Sequence, residues 1–217
     1  MSFDIEELYD YDTLRQLQHP TMFSIRLGAP TIVLGGSQSD AILADAAGAV
    51  PLRRRRGGGG AVLLQPGDAW VDWWIPRDDP RWRVDIHECS YMVGEWWRIA
   101  LSTVGVAATM HVGNVIDEPE HRVACFSGRG PGEIFIDNRK AVGLTQWRVR
   151  EGMFLSTVFH FSPSIDLLMF LREPAPTLGD ALGHHQLDLL GLDAEDLVAQ
   201  LRHLSAPESF RQLFLLA

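Results

Sequence analysis

ACFSGRGPGEIFIDNRKAVGLTQWR, residues 124–148, decides how the rest of the chain is read. Residues 133–137 and 140–144 are strand-like runs, and Asp137-Asn138 between them is a turn signal, so the stretch predicts a hairpin. Period-two alternation then places Lys140, Val142 and Leu144 on one face. A lysine that shares a face with aliphatic residues is partly desolvated, and such a lysine seeks an anion: a carboxylate, a phosphate or the oxyanion of an acyl transfer. The alternative is a strand-end lysine that snorkels into solvent. Lys140 is the only lysine of the chain; the other 18 of its 19 basic residues are arginine. The two are not interchangeable, because lysine is a compact charge whose pKa moves on burial.

Working outward, residues 123–126 read as a strand before the hairpin and 153–161 as a strand after it. Upstream, residues 31–34, 50–52, 61–64 and 70–75 are short β-branched, aliphatic or aromatic runs, most of them set off by glycine or proline. Residues 37–48 predict a short helix capped by Ser37 or Ser39, with Ile42, Leu43 and Ala46 on its apolar side and Gly48 at its stop. From about 83 to 103, apolar residues such as Val93, Trp96, Trp97, Ala100 and Leu101 recur at helical spacing; this is the long helix. The tail predicts helices at 165–171, 194–203 and 207–216, and the residues before 31 are poorly patterned. Strands in one sector and helices in the others give the α+β class, with a mixed, mostly antiparallel sheet.

With 217 residues, 46% hydrophobic and 22% charged, the chain can bury a core, which excludes a disordered segment or a collagen-like repeat. No apolar run reaches the roughly 18 to 20 residues of a membrane span. The start, MSFDIEELYDYD, is acidic where a secretion signal is basic and then apolar, so a cytoplasmic protein is expected. A net charge of −9 argues against general nucleic-acid binding. Cys89 and Cys125 make neither a disulfide framework nor a CxxC pair, and Cys89, inside the long helix, reads as structural. His184-His185 beside Asp188 read as a solvated loop, and no metal site of the protein's own is expected. The tryptophans at 70, 73, 74, 82, 96 and 97 read as core and cavity wall.

RRRRGGGGAV, residues 53–62, places four glycines between two strand-like runs. One reading is a loop whose backbone approaches a ligand closely, with amide N–H groups and arginines offered to an anion. The other is a flexible hairpin carrying a solvated basic patch. No GK[ST] follows, which excludes a Walker loop, and the return to a strand excludes the dinucleotide fingerprint.

Taken in order, GGxQ at 35–38, RRxxGGGAV at 54–62 and CFxGxGPGEIxxxxRKxVGxxQxR at 125–148 resemble the lipoate–protein ligase and octanoyltransferase family, which is related to the biotin protein ligases. The similarity spans roughly residues 30–200, and the sole lysine falls on the family's essential lysine. It implies the biotin/lipoate ligase catalytic fold with a tunnel for a medium-length acyl chain. One domain over 1–217 is expected, with no accessory C-terminal domain. The likeness assigns Gln38, Arg54, Arg55, Gly58, Gly59, Gly60 and Ala61 to the wall of the acyl and adenylate site, Gly143 and Gln146 to its flank, and Lys140 to the acyl carboxylate or carbonyl and, in a ligase, the phosphate.

Two mechanisms share that frame. A ligase would use ATP to activate lipoate or octanoate as an acyl-adenylate, with Mg²⁺ helping pyrophosphate to depart. A transferase would use Cys125, 15 residues before Lys140, to carry octanoyl from acyl carrier protein; the other reading of Cys125 is a buried structural thiol. In both, the acceptor is a lysine on a lipoyl-type carrier domain, of the 2-oxo acid dehydrogenase E2 or glycine-cleavage H protein kind. Gly57 stands where a small hydroxyl residue often occurs, and Leu64-Gln65 replace the usual His-Asp pair. A non-catalytic lipoate-binding or assembly protein is therefore a third reading. The arginines at 129, 148 and 150 are expected to steer the carrier.

Overall fold

A computed structural model describes residues 6–161, 164–182, 192–205 and 211–216. Two sheets organise it. The smaller has the order β1 (Glu6–Glu7), β4 (Leu52–Arg54), β3 (Thr31–Leu34), β5 (Val62–Leu64), parallel except for the β3–β5 pair. The larger runs β11 (Arg211–Leu216), β2 (Thr21–Arg26), β6 (Ala69–Pro76), β10 (Gly152–Phe159), β9 (Arg139–Arg148), β8 (Ile134–Ile136), β7 (Thr109–Met110). Only its β11–β2 edge is parallel. This is the mixed, mostly antiparallel α+β arrangement that the sequence predicts.

The larger sheet is the middle layer, which explains why strands such as β6 and β10 are apolar on both faces. Trp70, Trp74, Phe154 and Val158 pack toward the smaller sheet, against Ile32, Leu34, Val62 and Leu64. Val71, Trp73, Ile75 and Leu155 pack the other way, onto helix α2 (Ile86–Thr103) and helix α3 (Ala194–Leu204). In α2, the Asp85 side chain caps the first turn by accepting from the amides of His87 and Glu88. Trp97 of α2 donates its indole N–H to Thr157 Oγ1 on β10 at 2.9 Å, which pins helix to sheet.

Four local expectations are corrected. Residues 37–48 form two 3-10 turns, Asp40–Ile42 and Asp45–Ala49, broken where Leu43 pairs with Leu171; Ser39 caps the first. The run at 123–126 is not a strand: Ala124 makes one bridge to Ala61, and Cys125–Ser127 is a 3-10 turn. The final segment, where described, is the strand β11 rather than a helix. The poorly patterned start contains a core strand, β2, and a short helix α1 (Tyr11–Leu14). His184, His185 and Asp188, like 207–210, lie outside the described residues.

Candidate active site

Lys140 does not share a face with Val142 and Leu144. Between β8 and β9 the register slips: Phe135 opposes Lys140 while Ile134 opposes Val142, which leaves Ala141 as the extra residue of a bulge. A bulge re-aims the side chain before it. Ala141 and Val142 both enter the helix-side core, and Lys140 turns to the opposite face with Gly143 and Thr145. The Lys140 side chain is only 4% exposed, and its ammonium lies 2.6 Å from Glu133 Oε2 and donates to the Cys125 carbonyl at 2.8 Å. It also stands 5.7 Å from the centre of the Phe126 ring. Glu133 is held in turn by the amides of Gly130 and Leu144. Gly143 allows this packing, because a Cβ there would sit 2.9 Å from Phe126 Cε2.

The glycine segment is built by the arginines before it. Arg55, buried, donates to the carbonyls of Gly58 at 2.9 Å and Gly60 at 2.7 Å, which turns both oxygens inward. Burial lowers its pKa, opposed by the nearby carboxyl groups of Asp72 and Glu133. Arg54 instead reaches the carbonyls of Gly35 and Gln38. The Gln38 amide ties this turn to Val123, donating to its carbonyl at 2.8 Å. The glycines serve different needs. A Cβ on Gly60 would meet the Ala124 carbonyl carbon at 2.5 Å, and one on Gly35 would meet Gly59 O at 2.0 Å, so these are close backbone approaches. Gly59 has φ of 94°. Gly58 has nothing within 4 Å of where a Cβ would stand. Ala61 is stitched to the Cys125 segment by Ala61 N–H to Val123 O and Cys125 N–H to Ala61 O, at 2.7 and 2.8 Å.

These residues enclose a cleft of about 400 Å³ whose wall includes Gln38, Gly58, Gly59, Gly60, Cys125 and Lys140. Arg122, Arg129, Asp117 and Glu133 also line it. Cys125, Leu144 and Thr145 line both this cleft and an apolar void behind it, so Cys125 stands where the two meet. Gly143 and Arg55 border that void.

Of the residues singled out in the sequence, Gln38, Gly58–Gly60, Cys125, Lys140 and Gly143 come together here. Arg54 and Arg55 brace the loop from behind, with Arg55 also facing the void. Gln146 stands off the cleft: it opposes Leu155, a helix-side core residue, its Oε1 accepts from Arg148 Nε at 3.0 Å, and it borders only the small void beside Tyr9. Arg148 and Arg150 are likewise remote. Arg148 donates to Val84 O and Asp85 O at the start of α2, and Arg150 lines a separate surface cleft with Arg15 and Arg77. Sequence reasoning missed Glu133, Thr145 and the pair Tyr9–Asp72. Asp72 carried a signal, a lone carboxyl within the otherwise apolar run AWVDWWIP. It is fully buried, accepts from Tyr9 Oη at 2.6 Å, Trp70 Nε1 at 2.9 Å and the Thr157 amide at 3.1 Å, and burial pushes it up to about 7. Burial, with the Asp72 charge, raises the Tyr9 phenol well above its ordinary value.

Residues 1–181 match the sequence model of the lipoyl protein ligase A/B catalytic domain. No curated protein matches the chain in sequence. Among solved structures it is similar to lipoate-protein ligase A bound with ATP, at 18% identity and a TM-score of 0.74, over 99% of this chain and 90% of that one. It is also similar to the Ta0514 protein of T. acidophilum with bound lipoic acid, at 16% identity, TM-score 0.71, and 99% and 89% coverage. A third is a bi-partite lipoate protein ligase of Thermoplasma acidophilum, from a study that includes its E2 lipoyl domain, at 17% identity, TM-score 0.70, and 99% and 88% coverage.

Proposed function

The chain belongs to the lipoyl protein ligase A/B catalytic domain family, and from that premise we propose that it attaches a lipoyl or octanoyl group to a carrier-protein lysine through an acyl-adenylate. The observation that carries this reading is the setting of Lys140, a buried ammonium in the wall of a polar cleft that opens, at Cys125, into an apolar void. An acyl acid suits that junction, with its chain in the void and its carboxylate at the ammonium. The likeness to structures solved with ATP and with lipoic acid supports it.

The residues present fit a nucleotide. Gly58 leaves its stretch of the cleft wall bare, and Arg122, Arg129 and Lys140 bring cations to the same space. These residues would hold ATP, which supplies an activated phosphorus atom. Asp117 and Glu133 are the carboxylates facing the cleft. Among the described residues no three His, Cys, Asp or Glu side chains converge on a metal position, so Mg²⁺ would come with the phosphates. In the first step a carboxylate oxygen bonds to the α-phosphorus and pyrophosphate leaves. In the second the carrier amine bonds to the acyl carbonyl carbon and AMP leaves. Lys140 steadies the carboxylate in the first step and the carbonyl oxygen in the second. The acceptor is a lipoyl-type domain of the E2 or H protein kind.

A second reading rests on Cys125, which lines both cleft and void while its own carbonyl accepts from Lys140. Its thiolate would take octanoyl from acyl carrier protein, releasing the carrier thiol, and pass it to the lysine. The deciding assay is acyl-dependent exchange of pyrophosphate into ATP. The ligase gives exchange that survives Cys125→Ala; the transferase gives no exchange but an acyl-enzyme mass adduct, without ATP, that the same substitution abolishes. Retained acyl binding with neither activity identifies a non-catalytic binder.

A further inference from the structure

The apolar void behind Cys125 has a continuation. It measures about 30 Å³ and is walled by Val62, Leu64, Trp70, Phe126 and Val158. A second void of about 20 Å³ lies beyond it, walled by Tyr9, Leu14, Trp147 and Phe154. The two share Leu8, Arg55, Thr145 and Ser156, so these four stand between them and would be the neck of a passage that joins them. A chain that starts at Lys140 and runs into these voids would pass the four shared residues and approach Tyr9.

Tyr9 is the best-anchored group in that second void. Its ring stands edge-on to Phe154 at 4.8 Å and to Phe23 at 5.5 Å, and its hydroxyl donates to Asp72 Oδ2 at 2.6 Å. The same carboxyl holds Trp70, a wall of the first void, through its indole N–H. One buried group thus fixes a side wall near the head of the passage and a wall at its far end. We propose that Tyr9 is a specificity-determining residue that sets the longest acyl chain the protein accepts, and that Asp72 is the positioning residue that holds it there. This rests on the reading of the voids as the acyl site.

The test is a chain-length profile of saturated fatty acids from six to fourteen carbons, with lipoate alongside, measured by calorimetry on the full chain. Wild type should bind octanoate better than dodecanoate. Tyr9→Ala should raise the dodecanoate-to-octanoate affinity ratio about tenfold or more, since each added methylene gains apolar contact. Tyr9→Phe, which frees the ring from Asp72, should move the ratio the same way by a smaller factor, and Asp72→Asn, whose amide can still bond the Tyr9 hydroxyl, should keep the cut-off. Ser156→Leu, which narrows the neck, should shift the cut-off to shorter chains, and it carries the test if Tyr9→Ala does not fold. Profiles of Tyr9→Ala and Ser156→Leu that both match wild type overturn the proposal. No binding of any acid by folded wild type overturns the acyl-site reading instead.

Discussion

Asp72 shows how a single carboxyl can govern both shape and stability. Three donors surround it: Tyr9 Oη, Trp70 Nε1 and the Thr157 amide, with the Ser156 hydroxyl as a fourth neighbour in hydrogen-bond contact. Those bonds favour the charged form, yet desolvation outweighs them and the pKa stands near 7. The proton has a place to go, because the Tyr9 and Ser156 hydroxyls can turn to accept. A folded value above the ordinary carboxylate value means that the folded state binds this proton more tightly than the unfolded chain. The stabilisation is complete below about pH 4 and is lost as pH rises through about 7. The loss is on the order of 4 kcal/mol across that range. Thermal melts between about pH 5 and 7.5 should therefore show wild type weakening as pH rises. In Asp72→Asn that slope should flatten, because an amide oxygen can face Trp70 and Thr157 while its N–H₂ donates to Tyr9. An identical slope in the variant means that Asp72 does not titrate in this window.

At the level of elements, the glycine segment and the hairpin show what sequence can and cannot supply. Gly58 and Gly60 look alike in RRRRGGGG, but a Cβ on Gly60 meets three backbone atoms of Arg122 and Ala124, at 2.5, 2.6 and 2.7 Å, and one on Gly58 meets nothing within 4 Å. Gly60→Ala should cost about 2 to 4 kcal/mol of stability, since backbone rather than a pliable side chain has to move. Gly58→Ala should leave the melting temperature within a few degrees of wild type while weakening nucleotide-dependent exchange, because its methyl projects into the cleft. If both variants melt like wild type, the segment is slack rather than a fitted wall. The strands around it were legible because β3, β5, β6 and β10 are apolar runs with clear punctuation. The lysine was legible as chemistry because it is alone among arginines. Its direction was not, since one extra residue at Ala141 reverses the alternation and no residue type announces a bulge. Its partner Glu133 was hidden for the same reason: the pair forms across the hairpin only after that reversal. The terminal strand β11 was misread because a short apolar run fits helix and strand periods alike, and its parallel partner β2 lies far away in sequence.

Over the whole molecule, the three-layer arrangement fixes which surface charges can matter to the site. Lys140 stands near the start of β9 and Arg148 at its end, so at about 3.3 Å per residue they are roughly 25 Å apart. That is about three Debye lengths at physiological salt, and charges at Arg148 and Arg150 are screened from whatever docks at the cleft. The expectation that both would steer a carrier, drawn from closeness in sequence, therefore gives way to one in which position along the strand decides. Arg129 and Arg122 do line the cleft, against a chain whose net charge is −9. Asp117 balances Arg122 at 2.9 Å and Glu133 balances Lys140 at 2.6 Å, which leaves Arg129 as the surplus positive charge of the cleft, and such a charge orients an acidic partner at close approach. Association of the carrier domain, followed by stopped-flow fluorescence, should slow several-fold in Arg129→Glu at low salt and recover toward wild type as salt rises. Arg150→Glu, with its side chain 92% exposed, should change neither the rate nor its salt dependence. If the two substitutions act equally, steering comes from overall charge; if neither acts, the cleft cations serve the bound substrates alone.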